Sequence, residues 1–248
     1  MKAVGVIPAR YESSRLPGKP LADILGRPMI QHVYERSAQS KLLDDLIVAT
    51  DDARVMDAVL SFGGKAKLTS KSHTTGTDRV AEVVRDLNVD VVVNIQGDEP
   101  FVVAGMLDEV VAPLLEDPDL PMCTSMHEVK SQEDFDNPDV VKVVLDLRGD
   151  ALYFSRSLIP HRRAPLPYRV FEHIGVYAFR KDFLLTFAGL PPTPLEKLES
   201  LEQLRALEHG YRIRVVETAQ PYVALSVDTP DDLNRARRLA AERVAPKQ

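Results

Sequence analysis

The sequence predicts an α/β protein. Its mostly parallel sheet is flanked by helices, and a smaller mixed β-rich lobe spans about residues 121–210. Two observations lead there. Over the first hundred residues, short apolar runs alternate with longer amphipathic ones, as expected of strands buried on both faces and separated by helices. After Phe101 the strand-like runs follow one another with fewer helices between them.

In chain order, 2–8 reads as a buried strand and 29–38 as a helix with Ile30, Val33 and Tyr34 on one face. Strand 46–49, helix 53–62 and the stop signal Gly63-Gly64 follow. Next come a short strand at 66–69, a helix at 78–87 and an almost wholly apolar strand at 89–95. Strands at 122–129, 140–147, 151–154 and 172–179 make up the lobe. A helix at 195–209 stops at Gly210, and strand 213–217 and helix 230–241 close the chain. No internal repeat or linker interrupts the 248 residues, which read as one domain.

Composition narrows the functional classes. Thirty-one Lys+Arg against 37 Asp+Glu give a net charge of −6, opposite to the basic footprint of a nucleic-acid binder. No apolar run approaches a membrane span, and the opening residues lack the length of a secretory h-region. Cys123 is the single cysteine, so no disulfide forms within the chain. A cytoplasmic enzyme without nucleic-acid or membrane partners is the expectation.

Ligands of open α/β sheets sit beyond the carboxyl ends of the strands. After the first strand, Ala9-Arg10-Tyr11-Glu12-Ser13-Ser14-Arg15-Leu16-Pro17-Gly18-Lys19-Pro20 carries three cations and a glycine. Arginine forks and a lysine suit a polyphosphate, although a solvated basic loop would have the same composition. Neither GxGxxG nor GxxxxGK[ST] occurs there, so dinucleotide and P-loop readings lack their motif. Gln96-Gly97-Asp98-Glu99-Pro100 places a carboxylate at the end of an apolar strand, which suits magnesium held jointly by protein and substrate phosphates. Asp228 follows a second apolar run, and its two readings, metal ligand and helix cap, both stand. Thr74-Thr75-Gly76-Thr77-Asp78-Arg79 opens a helix and either presents N–H groups and Arg79 to an anion or is simply capped by Thr77. His173 is a lone strand histidine, and the six histidines show no zinc spacing. Leu198, Leu201, Leu204 and Leu207 recur every third residue and read as packing or a subunit contact.

Taken in order, these segments resemble the 3-deoxy-manno-octulosonate (Kdo) cytidylyltransferase family. The motifs carrying the resemblance run from Ile7-Pro8-Ala9-Arg10 and Ser14-Arg15-Leu16-Pro17-Gly18-Lys19 through Ala49-Thr50-Asp51-Asp52 and Gly76-Thr77-Asp78-Arg79. They continue with Asn94-Ile95-Gln96-Gly97-Asp98-Glu99-Pro100, Tyr153-Phe154-Ser155-Arg156, His173-Ile174-Gly175-Val176-Tyr177, Leu201-Glu202-Gln203-Leu204-Arg205 and Val227-Asp228-Thr229-Pro230. The resemblance implies a nucleotidyltransferase fold, a homodimer and the reaction CTP + Kdo → CMP-Kdo + pyrophosphate, serving lipopolysaccharide synthesis. It also implies that Ala9, Arg10, Ser14, Arg15, Lys19, Thr77 and Arg79 bind nucleotide, with Arg15, Lys19, Asp98 and Asp228 catalytic. Asp98 and Asp228 would hold Mg²⁺. Gln96, Arg156, His173, Tyr177, Glu202 and Gln203 would line the sugar site. Two positions depart from the family pattern: Thr75 replaces a serine, and Ser226 replaces a glycine next to the expected metal ligand. A cytidylyltransferase for 8-amino-Kdo or a sialic acid, and a non-catalytic sugar-nucleotide sensor, remain as alternatives.

Overall fold

The computed structural model describes residues 1–13, 15–223 and 225–244, without the side chain of Val244. The first half follows the expected rhythm. It runs β1 (Ala3–Pro8), β2 (Asp23–Ile24), β3 (Arg27–Pro28), α1 (Met29–Ser37), β4 (Asp45–Thr50), α2 (Ala53–Ser61), β5 (Ala66–Leu68), α3 (Gly76–Val84) and β6 (Val91–Asn94). The second half comprises α4 (Ala104–Glu116), β7 (Met122–Val129), α5 (Gln132–Asp136), β8 (Lys142–Leu145), β9 (Ala151–Ser155) and β10 (Val170–Arg180). It ends with α6 (Lys181–Gly189), α7 (Pro194–Glu199), α8 (Leu204–Glu208), β11 (Arg214–Glu217) and α9 (Pro230–Val244).

Among the described residues nine strands form one sheet, ordered β11-β7-β10-β6-β1-β4-β5, with β8 and β9 continuing from β10. Strands β5, β4, β1 and β6 pair in parallel, as do β11 and β7, and β10 runs antiparallel between β6 and β7. The chain moves from β1 to one side through β4 and β5, then returns to β1's other side as β6. A topological switch point, where ligand crevices form, therefore lies between the carboxyl ends of β1 and β6. Within 121–210, β7 and β10 are continuous with this sheet, and the β8–β9 hairpin lies off its main path.

Two apolar clusters cover the two faces of the sheet. Ile7, Val48, Val93 and Leu107 belong to one, and Val6, Val80, Val92 and Phe179 to the other. A third cluster, around Ile24, Met29, Phe101, Val227 and Ala236, packs α9 against β2 and the start of α1. It determines where Asp228 lies. The Val227 N–H donates to the Asp98 carbonyl at 2.9 Å, clamping the segment before α9 onto the loop after β6.

The structure departs from the sequence expectations at several places, with the short elements β2, β3 and α5 all additional. Helix α4 stands where none is expected, although Met106, Leu107, Val110, Val111 and Leu114 give it a buried face; Pro113, which removes one internal hydrogen bond, breaks its pattern. Helix α6 is likewise additional, with Phe183, Leu184 and Phe187 buried. The single helix expected at 195–209 is two short ones, interrupted by Ser200 at φ 54°. Leu201 and Leu204 are buried there while Leu198 is 81% exposed, so the leucine series does not share one environment. Helix α3 begins at Gly76, and its cap is Thr75 rather than Thr77. The Asp78 N–H donates to Thr75 Oγ1 at 3.1 Å, and Asp78 Oδ2 accepts from the Thr75 N–H at 3.3 Å.

Gly97 shows how tightly β1 and β6 meet at the switch point. A Cβ there would lie 2.7 Å from the Pro8 carbonyl oxygen, and backbone has little room to yield. Gly97→Ala is expected to cost about 1–3 kcal/mol by overpacking and to displace Asp98. Thermal melts and turnover test this. An unchanged melting temperature with full turnover would mean that the close approach is not required.

Candidate active site

The switch point opens into a cleft of about 360 Å³. Its walls bring together Ala9, Arg10, Arg15 and Lys19 from the first loop, Thr75, Gly76 and Arg79 from α3, Gln96 and Asp98 after β6, and Asp228 before α9. The first loop reaches it through a turn at Gly18, whose φ of +70° places it in the left-handed region; its N–H donates to the Tyr11 carbonyl at 3.1 Å. Lys19 follows directly.

The Lys19 ammonium lies between the two carboxylates. It donates to Asp98 Oδ2 at 2.7 Å and to Asp228 Oδ1 at 3.0 Å, partners 79 and 209 residues away in sequence. Arg15 Nη2 also reaches Asp228 Oδ1, at 3.0 Å. Burial works to lower the Lys19 pKa, but the Asp98 charge and hydrogen bond, reinforced by Asp228, prevail and raise it. Glu99, the next residue after Asp98, is pushed up to about 8 by burial and by the negative charges of Asp98 and Glu172. It therefore carries a proton at neutral pH.

Other expected site residues have partners within the protein. The Ala9 N–H donates to the Ala49 carbonyl at 2.8 Å, so that donor is not available to a ligand. Arg79 lines the cleft but is 3% exposed, with Nη2 on Asp51 Oδ2 at 2.8 Å and Nη1 on Thr69 Oγ1 at 2.5 Å. It braces the loop after β4. Thr77 donates to Glu202 Oε2 at 2.5 Å and is not among the lining residues. Ser14 lies outside the described residues.

The residues expected at the sugar gather on the α3–β10–α8 side. Gln96 donates from Nε2 to the Gly175 carbonyl at 3.1 Å, and Tyr177 Oη donates to Gln203 Oε1 at 3.2 Å. Glu202 Oε1 and Gln203 Nε2 are buried without hydrogen-bond partners, and burial raises the Glu202 pKa. His173 and Arg156 are each held by other parts of the protein. His173 is buried, with Nε2 within 2.9 Å of Thr124 Oγ1 and its ring against Phe154, because β10 turns it toward the β7 face. The Arg156 guanidinium donates to the carbonyls of Glu199 and Pro138 and is not among the residues lining the cleft.

His73 and Met29 also line the cleft, and sequence reasoning misses both. His73 sits one position before the Thr74 motif, beside Glu82 Oε2, and its proximity to that motif is the available signal. Met29 carries none. Glu99 is adjacent to Asp98, but its protonation depends on burial and on Glu172, which is 73 positions away. Among the described residues no cluster of three or more His, Cys, Asp or Glu side chains could hold a metal alone.

The switch-point cleft, with its converging cations and paired carboxylates, defines an α/β nucleotidyltransferase. A family model described as cytidylyltransferase matches residues 4–213. The 3-deoxy-manno-octulosonate cytidylyltransferase of Syntrophotalea carbinolica is 55% identical over 244 residues, 95% of this chain and 97% of its own. That of Geobacter metallireducens is 52% identical over 246 residues, covering 95% and 96%. A solved structure of CMP:2-keto-3-deoxy-manno-octonic acid synthetase complexed with CTP superposes with a TM-score of 0.92 at 47% identity, covering 98% of this chain and 100% of that one. The chain belongs to the 3-deoxy-manno-octulosonate cytidylyltransferase family. A cytidylyltransferase from Leptospira borgpetersenii, 17% identical with a TM-score of 0.64, shares the fold.

Burial of His173 gives a pH prediction. Burial holds its pKa down at about 3, against about 6.5 in an unfolded chain. Between those values the unfolded chain binds the extra proton, so this contribution to stability is complete above pH 6.5 and declines as pH falls toward 3. Lowering pH from 7 to 5 is expected to cost the wild type about 2 kcal/mol more than His173→Gln. Denaturant melts at the two pH values measure this, and equal losses would refute it.

Proposed function

We propose that the protein transfers the cytidylyl group of CTP to the anomeric hydroxyl of Kdo, releasing pyrophosphate. The observation that carries this reading is the Lys19 bridge between Asp98 and Asp228 inside a cleft lined by Arg10 and Arg15. In the reaction the sugar hydroxyl oxygen bonds to the α-phosphorus as the bond to the β-phosphate oxygen breaks, and the hydroxyl proton departs. Negative charge grows on the non-bridging and leaving oxygens, so rate depends mainly on positioning and electrostatic stabilisation. Arg10, Arg15 and Lys19 bind and orient the triphosphate. Arg79 takes a supporting part, since Asp51 and Thr69 hold its guanidinium in the wall.

The donor set fits a divalent cation. Asp98 and Asp228 already converge on one positive charge, the Lys19 ammonium, and two carboxylates complemented by substrate phosphates and waters suit Mg²⁺. The two aspartates would hold it, and when bound it would neutralise charge building on the phosphate oxygens. The Asp98 carboxylate would also take the hydroxyl proton, so this reading needs no separate strong base.

Glu202 Oε1, 3.6 Å from Arg205 Nη2, and Gln203 Nε2 are a buried acceptor and donor without hydrogen-bond partners, beside the first turn of α3, and would bind hydroxyls of the sugar acid together with Gln96 and Tyr177. Arg156 has part of its guanidinium left for the sugar carboxylate, and His173 supports the wall behind Tyr177 at a ring distance of 5.3 Å. Leu147, Leu152 and Leu198, exposed on the 121–210 lobe, support a homodimer formed through it. The product would serve lipopolysaccharide assembly, with the enzyme in the cytoplasm, where CTP is made.

Pyrophosphate release from CTP, Kdo and Mg²⁺ tests the reading, with UTP, sialic acid, 8-amino-Kdo and a chelator as controls. Release requiring CTP, Kdo and metal together is expected. Release only with another sugar acid would move the specificity, and CTP binding without release from any sugar acid would favour a sensor. Asp98→Asn is expected to lower turnover at least about 1,000-fold while leaving the melting temperature within a few degrees, and an active variant would remove Asp98 from its role.

A further inference from the structure

Lys142, on β8, is fully buried, at 0% exposure. Lysine is almost never buried to that extent without a counter-charge. Here Nζ donates to three backbone carbonyls instead, those of Asn137 at 2.7 Å, Val140 at 2.7 Å and Arg156 at 2.9 Å. The three N–H donors are thereby matched by three acceptors. Burial pushes the pKa of this ammonium down, with the nearby charges of Asp136 and Glu172 opposing it. In the sheet, Lys142 stands opposite Ser155 on one side and Glu172 on the other, so it lies where β9, β8 and β10 are joined.

The third carbonyl leads onward. The Arg156 N–H donates to Glu199 Oε2 at 2.9 Å, its Nε to the Glu199 carbonyl at 2.7 Å and its Nη1 to the Pro138 carbonyl at 2.9 Å. Ser155 Oγ donates to the other Glu199 oxygen at 2.7 Å. Glu199 ends α7, and the left-handed turn at Ser200 leads within three residues to Glu202 and Gln203. A single ammonium thus ties the 137–140 turn, the Arg156 backbone and, through Arg156, the segment carrying the two buried polar atoms that lack hydrogen bonds.

We propose that Lys142 is a positioning residue that cross-links the 137–140 turn to Arg156 and so fixes the Glu199–Gln203 segment for the sugar acid. The inference rests on the sugar-side reading given above. A methionine would fill nearly the same volume but leave three carbonyls without a donor. An arginine would keep the charge, but its planar fork cannot direct its donors to three carbonyls around one point. In either variant the tether to Arg156 is lost while the triphosphate cleft, built on β1, α3 and β6, keeps its walls.

Steady-state kinetics on the full chain, varying CTP and Kdo separately, test this with Lys142→Met and Lys142→Arg. The expected result is a KM for Kdo raised at least tenfold in both Lys142 variants with the KM for CTP within twofold. If Lys142→Met does not fold, Lys142→Arg carries the same comparison. Equal rises in both KM values, or no rise in the KM for Kdo, would overturn the proposal. Failure of the substrate assignment is seen separately, in the wild type. Should it turn over a different sugar acid, the same variants are compared with that acid.

Discussion

The active-site end of the molecule is organised around one cation between two carboxylates. Lys19, Asp98 and Asp228 come from a loop after β1, a loop after β6 and the segment before α9, and nothing in covalent connectivity brings them together. An ammonium shared by two half-buried carboxylates gains from each. Removing it would leave two like charges facing one another in a partly desolvated cleft.

That arrangement in turn depends on apolar packing. Asp228 lies near Asp98 because Val227 is buried with Phe101, Met29 and Ile24, and because its N–H is bonded to the Asp98 carbonyl. Burial of about 25 cal/mol per Å² of apolar surface is non-directional and cannot aim a carboxylate. The backbone hydrogen bond supplies the aim, and Gly97 supplies the clearance from Pro8 that lets β6 emerge beside β1. Thus α9, the last element of the chain, completes a site begun by the first.

The two sides of the site differ in how far the protein satisfies its own polar groups. On one side Arg10, Arg15 and Lys19 line the cleft, with Arg15 and Lys19 held on Asp228. On the α3–β10–α8 side the polar groups are buried and bonded among themselves, as in Thr77–Glu202 and Tyr177–Gln203, with only single atoms left without a hydrogen bond. A polyphosphate needs field strength, whereas a polyol needs individually placed donors and acceptors. The buried side can discriminate, because an unmatched buried polar atom is costly.

The sequence by itself determined the parallel half of the fold and the residues that carry charge into the cleft. Short apolar runs such as the one at 91–94, spaced by amphipathic segments, read as strands covered on both faces, and the residues following β1 and β6 line the crevice. Local signals failed where tertiary contacts overrode them. Helix α4 carries a proline, the 195–209 segment breaks at Ser200, and α3 starts early because Thr75 and Asp78 cap each other. Site residues showed the same division. Lys19, Asp98 and Asp228 were legible because a charge set at the end of a buried strand must meet either a ligand or an opposite charge. The inward placement of His173, the bracing role of Arg79 and the protonation of Glu99 were not legible. Each depends on groups distant in sequence, namely Thr124, Asp51 and Glu172. Spacing along a chain fixes which residues can share a strand or a helix face. Which of them meet a ligand and which meet one another is decided only when the sheet closes and desolvation selects partners.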